Sequence, residues 1–292
     1  MNTNRRQFIK TSSCAVAASS IPVLARRSKP EPQIKMLGKT GLCVSAIGLG
    51  ATRTMEPSIV EAALDTGMSF LDTGRHYHNG QNEEMIGKVL KAVSDRVIVQ
   101  SKLKVNVDPE KAGSDTERQI RQQMRSSMQA SLKALKTDAI DIMLLHNQSE
   151  FGLIDNDTII NEFARAKEKG WIRFCGFSCH SNQDKMLRWV NENGFYDVVM
   201  VAYNHKGAYS HSRSDRSHSW NQEALEKELR IAHQKGIGVV AMKTASGGPL
   251  ARGNKEPSMA QALEWITEQP FVHTTATAMV NFTEIEENRK AL

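Results

Sequence analysis

Residues 69–84, SFLDTGRHYHNGQNEE, carry a strand into a helix through a loop that holds two ionisable side chains. Ser69-Phe70-Leu71 is short and apolar and follows a helix stop at Gly67, so Asp72 is expected at the mouth of a buried parallel strand. Tyr77 then falls on the loop above it. Gly80 breaks that loop, and Asn82 before Glu83 and Glu84 reads as the cap and acidic first turn of a helix reaching about Leu90. Taken alone, Asp72 is read equally well as a strand-end cap and Tyr77 as a loop aromatic. The pair gains meaning only if other strands end in matching groups.

The same order repeats along the chain. An apolar run at 46–50 is followed by helical spacing over 57–65, and further strands are expected at 69–71, 96–101, 139–145, 172–177, 197–202, 237–242 and 271–279. Between them lie amphipathic segments near 83–92, 116–136, 158–169, 183–193, 221–235 and 258–267. Eight strands alternating with helices over a mature length close to ~250 residues predict a (β/α)₈ barrel, the α/β fold known as a TIM barrel. Residues 36–45, MLGKTGLCVS, suit a small hairpin that plugs one end. The rival is a doubly wound open sheet, whose dinucleotide fingerprint is GxGxxG after the first strand. Gly48-Leu49-Gly50 continues as Ala51-Thr52-Arg53, so its third glycine is missing.

The chain has 292 residues, 40% apolar and 24% charged, which suits a globular protein with one large core. Its beginning differs from the rest. Arg5-Arg6 and Lys10 precede an uncharged run over 11–25 that ends in Val23-Leu24-Ala25, the charged, apolar, small-residue order of an export signal, and the paired arginines point to the twin-arginine route. Residues 1–25 are therefore expected to be a signal peptide, 26–35 a linker and 36–292 the barrel, with the twin-arginine machinery as a partner and the periplasm as destination. The apolar run is too short for a stable membrane span. Without residues 1–25 the formal charge falls from +6 to +3, and no Lys/Arg run interleaved with aromatics remains, which argues against a nucleic-acid surface. Cys43, Cys175 and Cys179 lack CxxC spacing and are expected as buried thiols.

Barrel enzymes place their chemistry at the carboxyl ends of the strands. Here those ends carry Asp72, Lys102, His146, Ser178, Tyr203-Asn204 and Lys243. A tyrosine has an ordinary pKa near ~10 and needs help to act as an acid at neutral pH. Lys102 can stabilise the developing phenolate of Tyr77, Asp72 can hold that lysine charged, and a neutral His146 can hydrogen-bond a carbonyl oxygen or relay a proton. Such a site protonates an oxygen while its carbon receives an electron pair. No side chain donates hydride, so a nicotinamide cofactor is implied.

The ordered segments MLGKTGLCVSAIGLG, LDTGRHYHNGQNEEMIGK, VIVQSK, IRQQMRSSMQASLKALKTDAIDIMLLH and AKEKGWIRFCGFS resemble the aldo-keto reductase family from about Met36 to Leu292. The resemblance implies a catalytic tetrad of Asp72, Tyr77, Lys102 and His146, with Tyr77 as general acid in reduction and base in oxidation, and NAD(P)H as cofactor. It implies cofactor contacts at Gly50, Asp72, Ser178, Lys243, Gly247, Glu287 and Asn288, with no metal. The chain departs from the family pattern at Cys179, where an asparagine is frequent, and at Met200, where a glutamine is. Ala278 and Glu284 stand where phosphate-selective members carry Lys and Arg, so NAD or dual use is expected over strict NADP, with Arg289 as the residue able to compensate. The final helix is expected to be short, without a pocket-closing tail.

The remaining features are less specific. His76 and His78, and the histidines of 205–220, lack carboxylate or thiol partners at ligand spacing. That second segment is expected as a polar loop over the barrel mouth, where Tyr209, Arg213 and Trp220 can touch a hydroxylated substrate. The expected substrate is a small carbonyl compound or polyol. Two other functions fit a barrel: ligand binding without turnover, which an intact tetrad argues against, and hydrolysis, which the lack of paired carboxylates or a metal site argues against.

Overall fold

A computed structural model describes residues 32–93, 97–108, 111, 113–210, 217–245 and 258–291. The expected signal peptide, most of the linker, Arg213, and Gly247 with Gly248 lie outside them.

The hairpin of β1 (Ile34–Met36) and β2 (Cys43–Ser45) comes first, antiparallel, with Met36 opposite Cys43. Leu37, Leu42 and Val44 on it pack among inward-facing barrel residues and so plug the floor. Gly38 permits this closeness: it has φ 54°, and a Cβ there would lie 2.4 Å from the Gly236 carbonyl oxygen. Then β3 (Gly48–Gly50), α1 (Pro57–Asp65), β4 (Phe70–Asp72), α2 (Gln81–Leu90), β5 (Ile98–Leu103) and α3 (Ser114–Leu135) alternate. The order continues with β6 (Ile140–Leu145), the single turn α4 (Phe151–Ile154), α5 (Asp157–Glu168), β7 (Ile172–Cys179), α6 (Gln183–Asn193) and β8 (Val198–Ala202). After the small hairpin β9 (Ala208–Ser210) and β10 (Ser217–Ser219) come α7 (Gln222–Gln234), β11 (Gly238–Met242), α8 (Met259–Thr267), β12 (Thr274–Thr277) and α9 (Phe282–Arg289).

Eight parallel strands close in the order β11-β12-β3-β4-β5-β6-β7-β8, the expected (β/α)₈ barrel. Period two divides each strand between two apolar environments. Phe70, Ile98, Ile142, Leu144, Val198, Met200 and Val240 fill the interior, while Leu71, Val99, Met143, Val199 and Val239 pack outward against Ile120, Met124, Phe163, Leu187, Leu229 and Leu263 of the helices. Both faces are buried, which is why the strands read as nearly unbroken apolar runs. Helix starts follow local chemistry: Asn156 and Asn221 cap α5 and α7, and Ser258 with Gln261 forms a capping box on α8.

Four expectations need correction. Asn82 does not cap α2, whose N-cap is Gly80. Its side chain is buried inside the first turn, donating to the carbonyls of Ala51 (3.0 Å) and Thr54 (2.8 Å) and accepting from the Thr73 hydroxyl at 2.7 Å. Where a polar loop was expected, Ala208–Ser210 and Ser217–Ser219 pair as antiparallel strands, with Tyr209 opposite His218 and buried in one cluster with Met200 and Met242. The last strand is confined to Thr274–Thr277, because the preceding Phe271-Val272 turns into the outer core. Cys43 is exposed on the hairpin, while Cys175 and Cys179 are buried.

Candidate active site

Asp72 ends β4, and its register partner Gln100 lies on β5, so both face the interior; Lys102, two residues further, points the same way. The Lys102 ammonium is 1% exposed and donates to Asp72 Oδ1 (2.5 Å), the Thr73 carbonyl (2.8 Å) and Tyr77 Oη (3.1 Å). These three contacts account for the three N–H donors of an ammonium, so Tyr77 Oη accepts and its own proton remains free to be donated. Burial acts to lower the lysine pKa, but the Asp72 charge and the bonds to Asp72 and Tyr77 outweigh it and hold the value up. Burial raises the Tyr77 pKa, opposed first by the Lys102 charge and also by a hydrogen bond from Thr52. Removing an ion pair of this kind by halves is costly, because the survivor is a buried charge without a partner.

The loop bearing Tyr77 is fixed by its own chemistry. His78, Asn79 and Gly80 have φ of 48°, 54° and 89°, a left-handed run that costs roughly 1–2 kcal/mol per non-glycine residue. The neighbourhood over-determines it. Arg75 donates from its backbone N–H to the Lys102 carbonyl (2.9 Å) and from its guanidinium to Glu83 Oε2 (2.5 Å), and the Ser101 hydroxyl donates to Glu83 Oε1 (2.5 Å). Glu83 is fully buried and its pKa is raised by that burial, against the pull of its hydrogen bonds and of Arg75. A Cβ at Gly80 would meet Arg75 Nη2 at 1.2 Å, so a larger residue there must displace the guanidinium and also adopt the left-handed φ.

His146 follows β6 and is tied down by its N–H to the Leu103 carbonyl (2.8 Å), with its ring edge-on to Tyr77 at a centroid distance of 5.8 Å. Burial, then the charges of Lys102 and Lys104, push its pKa down to about 2, so it is neutral at physiological pH. Its buried Nδ1 has no partner among the described residues. A cleft of about 390 Å³ opens beside it, lined mainly by polar side chains, among them Lys104, Asn106, Gln148 and Ser149. The structure thus joins all four tetrad residues at one mouth.

The cofactor residues divide. Ser178 is buried at the end of β7 and its Oγ accepts from the Asn147 N–H at 2.9 Å, which leaves its proton free for a carboxamide oxygen. Cys179, beside it, is buried with a raised pKa, and the Met200 sulfur lies 3.4 Å from Gln100 Nε2. Lys243, after β11 with φ 61°, lies over the Tyr209 ring at 5.3 Å, and its pKa is lowered by burial and by Arg53. Neither Arg53 nor Lys243 pairs with a carboxylate among the described residues, so together they suit a pyrophosphate. Asn288 is buried with Oδ1 unpartnered, an acceptor suited to an adenine amine; Glu287 next to it is exposed. An adenine dinucleotide therefore fits the residues present. Gly50 serves another need as well: a Cβ there would crowd the Ala276 carbonyl oxygen of the adjoining strand at 3.0 Å. Glu284 is turned back on its helix start, accepting from the Val280 N–H (2.8 Å) and from Asn281 Nδ2 (3.2 Å).

Sequence reasoning missed Gln100, whose Nε2 donates to Asp72 Oδ1 at 2.6 Å, and the clamp of Arg75, Glu83 and Ser101. A glutamine inside the apolar VIVQSK was the available signal for the first. Among the described residues no cluster of three or more His, Cys, Asp or Glu is placed to hold an ion.

The model of the Aldo/keto reductase family matches residues 50–291. The chain is 26% identical over 265 residues to the uncharacterized oxidoreductase YqkF of Bacillus subtilis, covering 88% of this chain and 76% of that one. It is 29% identical over 240 residues to L-galactose dehydrogenase of Arabidopsis thaliana, covering 76% and 66%. Its fold matches the holo form of the aldo-keto reductase AKR11C1 from Bacillus halodurans with a TM-score of 0.70 at 22% identity, over 89% and 91% of the two chains. With the match spanning nearly the whole barrel and the four ionisable groups gathered at its mouth, the chain belongs to the aldo/keto reductase family, the NAD(P)-dependent oxidoreductases that interconvert carbonyls and alcohols.

Proposed function

We propose that Tyr77 is the general acid of reduction and the general base of oxidation, acting on a small hydroxylated carbonyl compound or the matching alcohol. The carrying observation is the Lys102 ammonium, held between Asp72 Oδ1 at 2.5 Å and Tyr77 Oη at 3.1 Å. In reduction the substrate oxygen accepts the Tyr77 proton as its carbon gains two electrons, and the phenolate left behind is stabilised by Lys102 and Thr52. Neutral His146 orients that oxygen and excludes water from one side. The bound nicotinamide supplies or accepts the hydride. Ser178 would hold the carboxamide, Lys243 with Arg53 the pyrophosphate, and Asn288 the adenine.

A polar substrate is favoured by the cleft beside His146, and an L-galactose dehydrogenase among the relatives places sugars among the candidates. NAD or dual use is favoured over strict NADP because Glu284 adds negative charge at the start of α9. Absorbance of the reduced cofactor, followed with a panel of aldehydes, ketones and sugars, tests the activity. Tyr77→Phe is expected to lower turnover by roughly 10²- to 10⁴-fold while the cofactor still binds. Turnover at the parent rate would refute the assignment.

Export to the periplasm by the twin-arginine route is the proposed localisation, supported by Arg5-Arg6 ahead of the uncharged run to Ala25. Arg5-Arg6→Lys-Lys is expected to retain the protein in the cytoplasm; an unchanged periplasmic yield on fractionation would remove the proposal.

A further inference from the structure

Lys104 has so far entered only as a charge beside His146. It follows β5, is half-buried, and shares with His146 the lining of the 390 Å³ cleft. Among the described residues it makes no ion pair. Its charge reaches both His146 and His76, adding to the burial that lowers their pKa values. Among the described residues, the single acid on the cleft wall is Glu150, exposed at the N-cap of α4. A half-buried ammonium facing a cleft without a paired carboxylate is a poor arrangement for an empty site and a good one for an anion.

The barrel order shows which anion. Lys243 follows β11 and Lys104 follows β5, four strands apart in the closed ring of eight, so the two cations stand on opposite sides of the mouth with Tyr77 and Lys102 on Lys104's side. A pyrophosphate held at Lys243 is on the far side of the mouth from Lys104. What remains within reach of Lys104 is the far end of the molecule whose carbonyl lies between Tyr77 and His146.

We propose that the substrate is a small anionic carbonyl compound, an oxo acid or a phosphorylated carbonyl, whose anionic group is held by Lys104 in the cleft between the loops after β5 and β6. This rests on the hydride-transfer reading and names the substrate class of the same site. It makes Lys104 a specificity-determining residue: it binds the end of the substrate that does not react, so its loss is felt in KM more than in kcat.

The test uses substrates matched except for charge. With the full chain and reduced cofactor, 4-oxobutanoate is compared with 4-oxobutanamide, and glyceraldehyde 3-phosphate with glyceraldehyde, in the parent, Lys104→Met and Lys104→Arg. The parent is expected to prefer the anionic member of one pair, which identifies carboxylate or phosphate as the group. Lys104→Met should raise KM for that member about 10- to 100-fold, leave kcat within about threefold, and leave the neutral member unchanged, with Lys104→Arg recovering most of the loss. Calorimetric titration of the oxidised-cofactor complex with 4-hydroxybutanoate and glycerol 3-phosphate reads anion binding without turnover. No preference for charge in either pair, or equal effects of Lys104→Met on charged and neutral members, overturns the proposal. Charge-selective binding lost in Lys104→Met, together with no hydride transfer to any carbonyl, supports it while overturning the activity assigned to the site.

Discussion

Replacing Lys102 by methionine separates the two things this side chain does. The ammonium is the partner of Asp72, which is 2% exposed and would keep only Gln100 Nε2 at 2.6 Å on Oδ1. Breaking a buried pair by removing one member costs about 3–5 kcal/mol, because the remaining charge stays desolvated. Lys102→Met should therefore lower the urea midpoint markedly. It also deprives Tyr77 of its main opposition to burial, so the phenol becomes a weaker acid, and single-turnover hydride transfer should fall by at least about 10²-fold. The double variant Asp72→Asn/Lys102→Met distinguishes these effects. A neutral amide at 72 still accepts from Gln100 and leaves no buried charge, so the double variant should regain about 2 kcal/mol or more over the single one while remaining as inactive. Two results refute the reasoning: near-parental transfer by Lys102→Met, or a double variant no more stable than the single one. In the parent, the raised lysine pKa means that the pair's contribution is complete below the ordinary lysine value and is lost as pH rises through the folded one.

Acid should weaken the fold through two histidines. His146 is pushed down to about 2 and His273 to about 4, so below about pH 6.5 the unfolded chain binds protons that the folded chain refuses, at up to about 1.4 kcal/mol per pH unit for each. Urea midpoints at pH 7.5, 6.5 and 5.5 should fall in that order, and His273→Asn should flatten the trend; a flat parental profile would contradict the burial of both rings. Gly80→Ala must displace the Arg75 guanidinium and occupy a left-handed φ of 89°, so it should cost about 1–3 kcal/mol and reduce kcat together with stability. A stable, fully active Gly80→Ala would show that the clamp does not position Tyr77. Glu284→Gln keeps an acceptor for the Val280 N–H and removes the charge, so NADPH affinity measured by Trp fluorescence should rise several-fold relative to NADH; no change would mean that this carboxylate is outside the reach of the ribose.

The tetrad was legible because a parallel barrel buries both faces of its strands, so an ionisable residue at the end of an apolar run stands out: Asp72 after Phe70-Leu71, His146 after Met143-Leu144-Leu145. Asn82 was misread because a helix cap and a buried clasp use the same residue type; only the three-dimensional path of residues 51–54 shows that its donors go to Ala51 and Thr54. Glu284 carries the opposite ambiguity. Its charge is evident in the sequence, but its use by the Val280 N–H is not. The pairing of 208–210 with 217–219 was hidden by polar composition, since among the described residues of the two strands Tyr209 alone is a buried apolar anchor.

The period of two along β5 links the readable part of the site to the part that was not. Lys102 points inward to Asp72 and Tyr77, while Ser101, next to it, points outward and donates to Glu83, which holds Arg75. One strand thus grips the loop 73–83 from both of its faces: through the Lys102 ammonium on the inside and through the Arg75–Glu83 ion pair on the outside. That double hold explains how a left-handed run at His78, Asn79 and Gly80 persists without being relaxed. It also explains why Tyr77 Oη stays at hydrogen-bond distance from Lys102 although the tyrosine lies on a loop. A sequence reader sees the lysine because its charge is out of place in an apolar strand; the serine beside it is an ordinary residue whose importance comes only from facing Glu83.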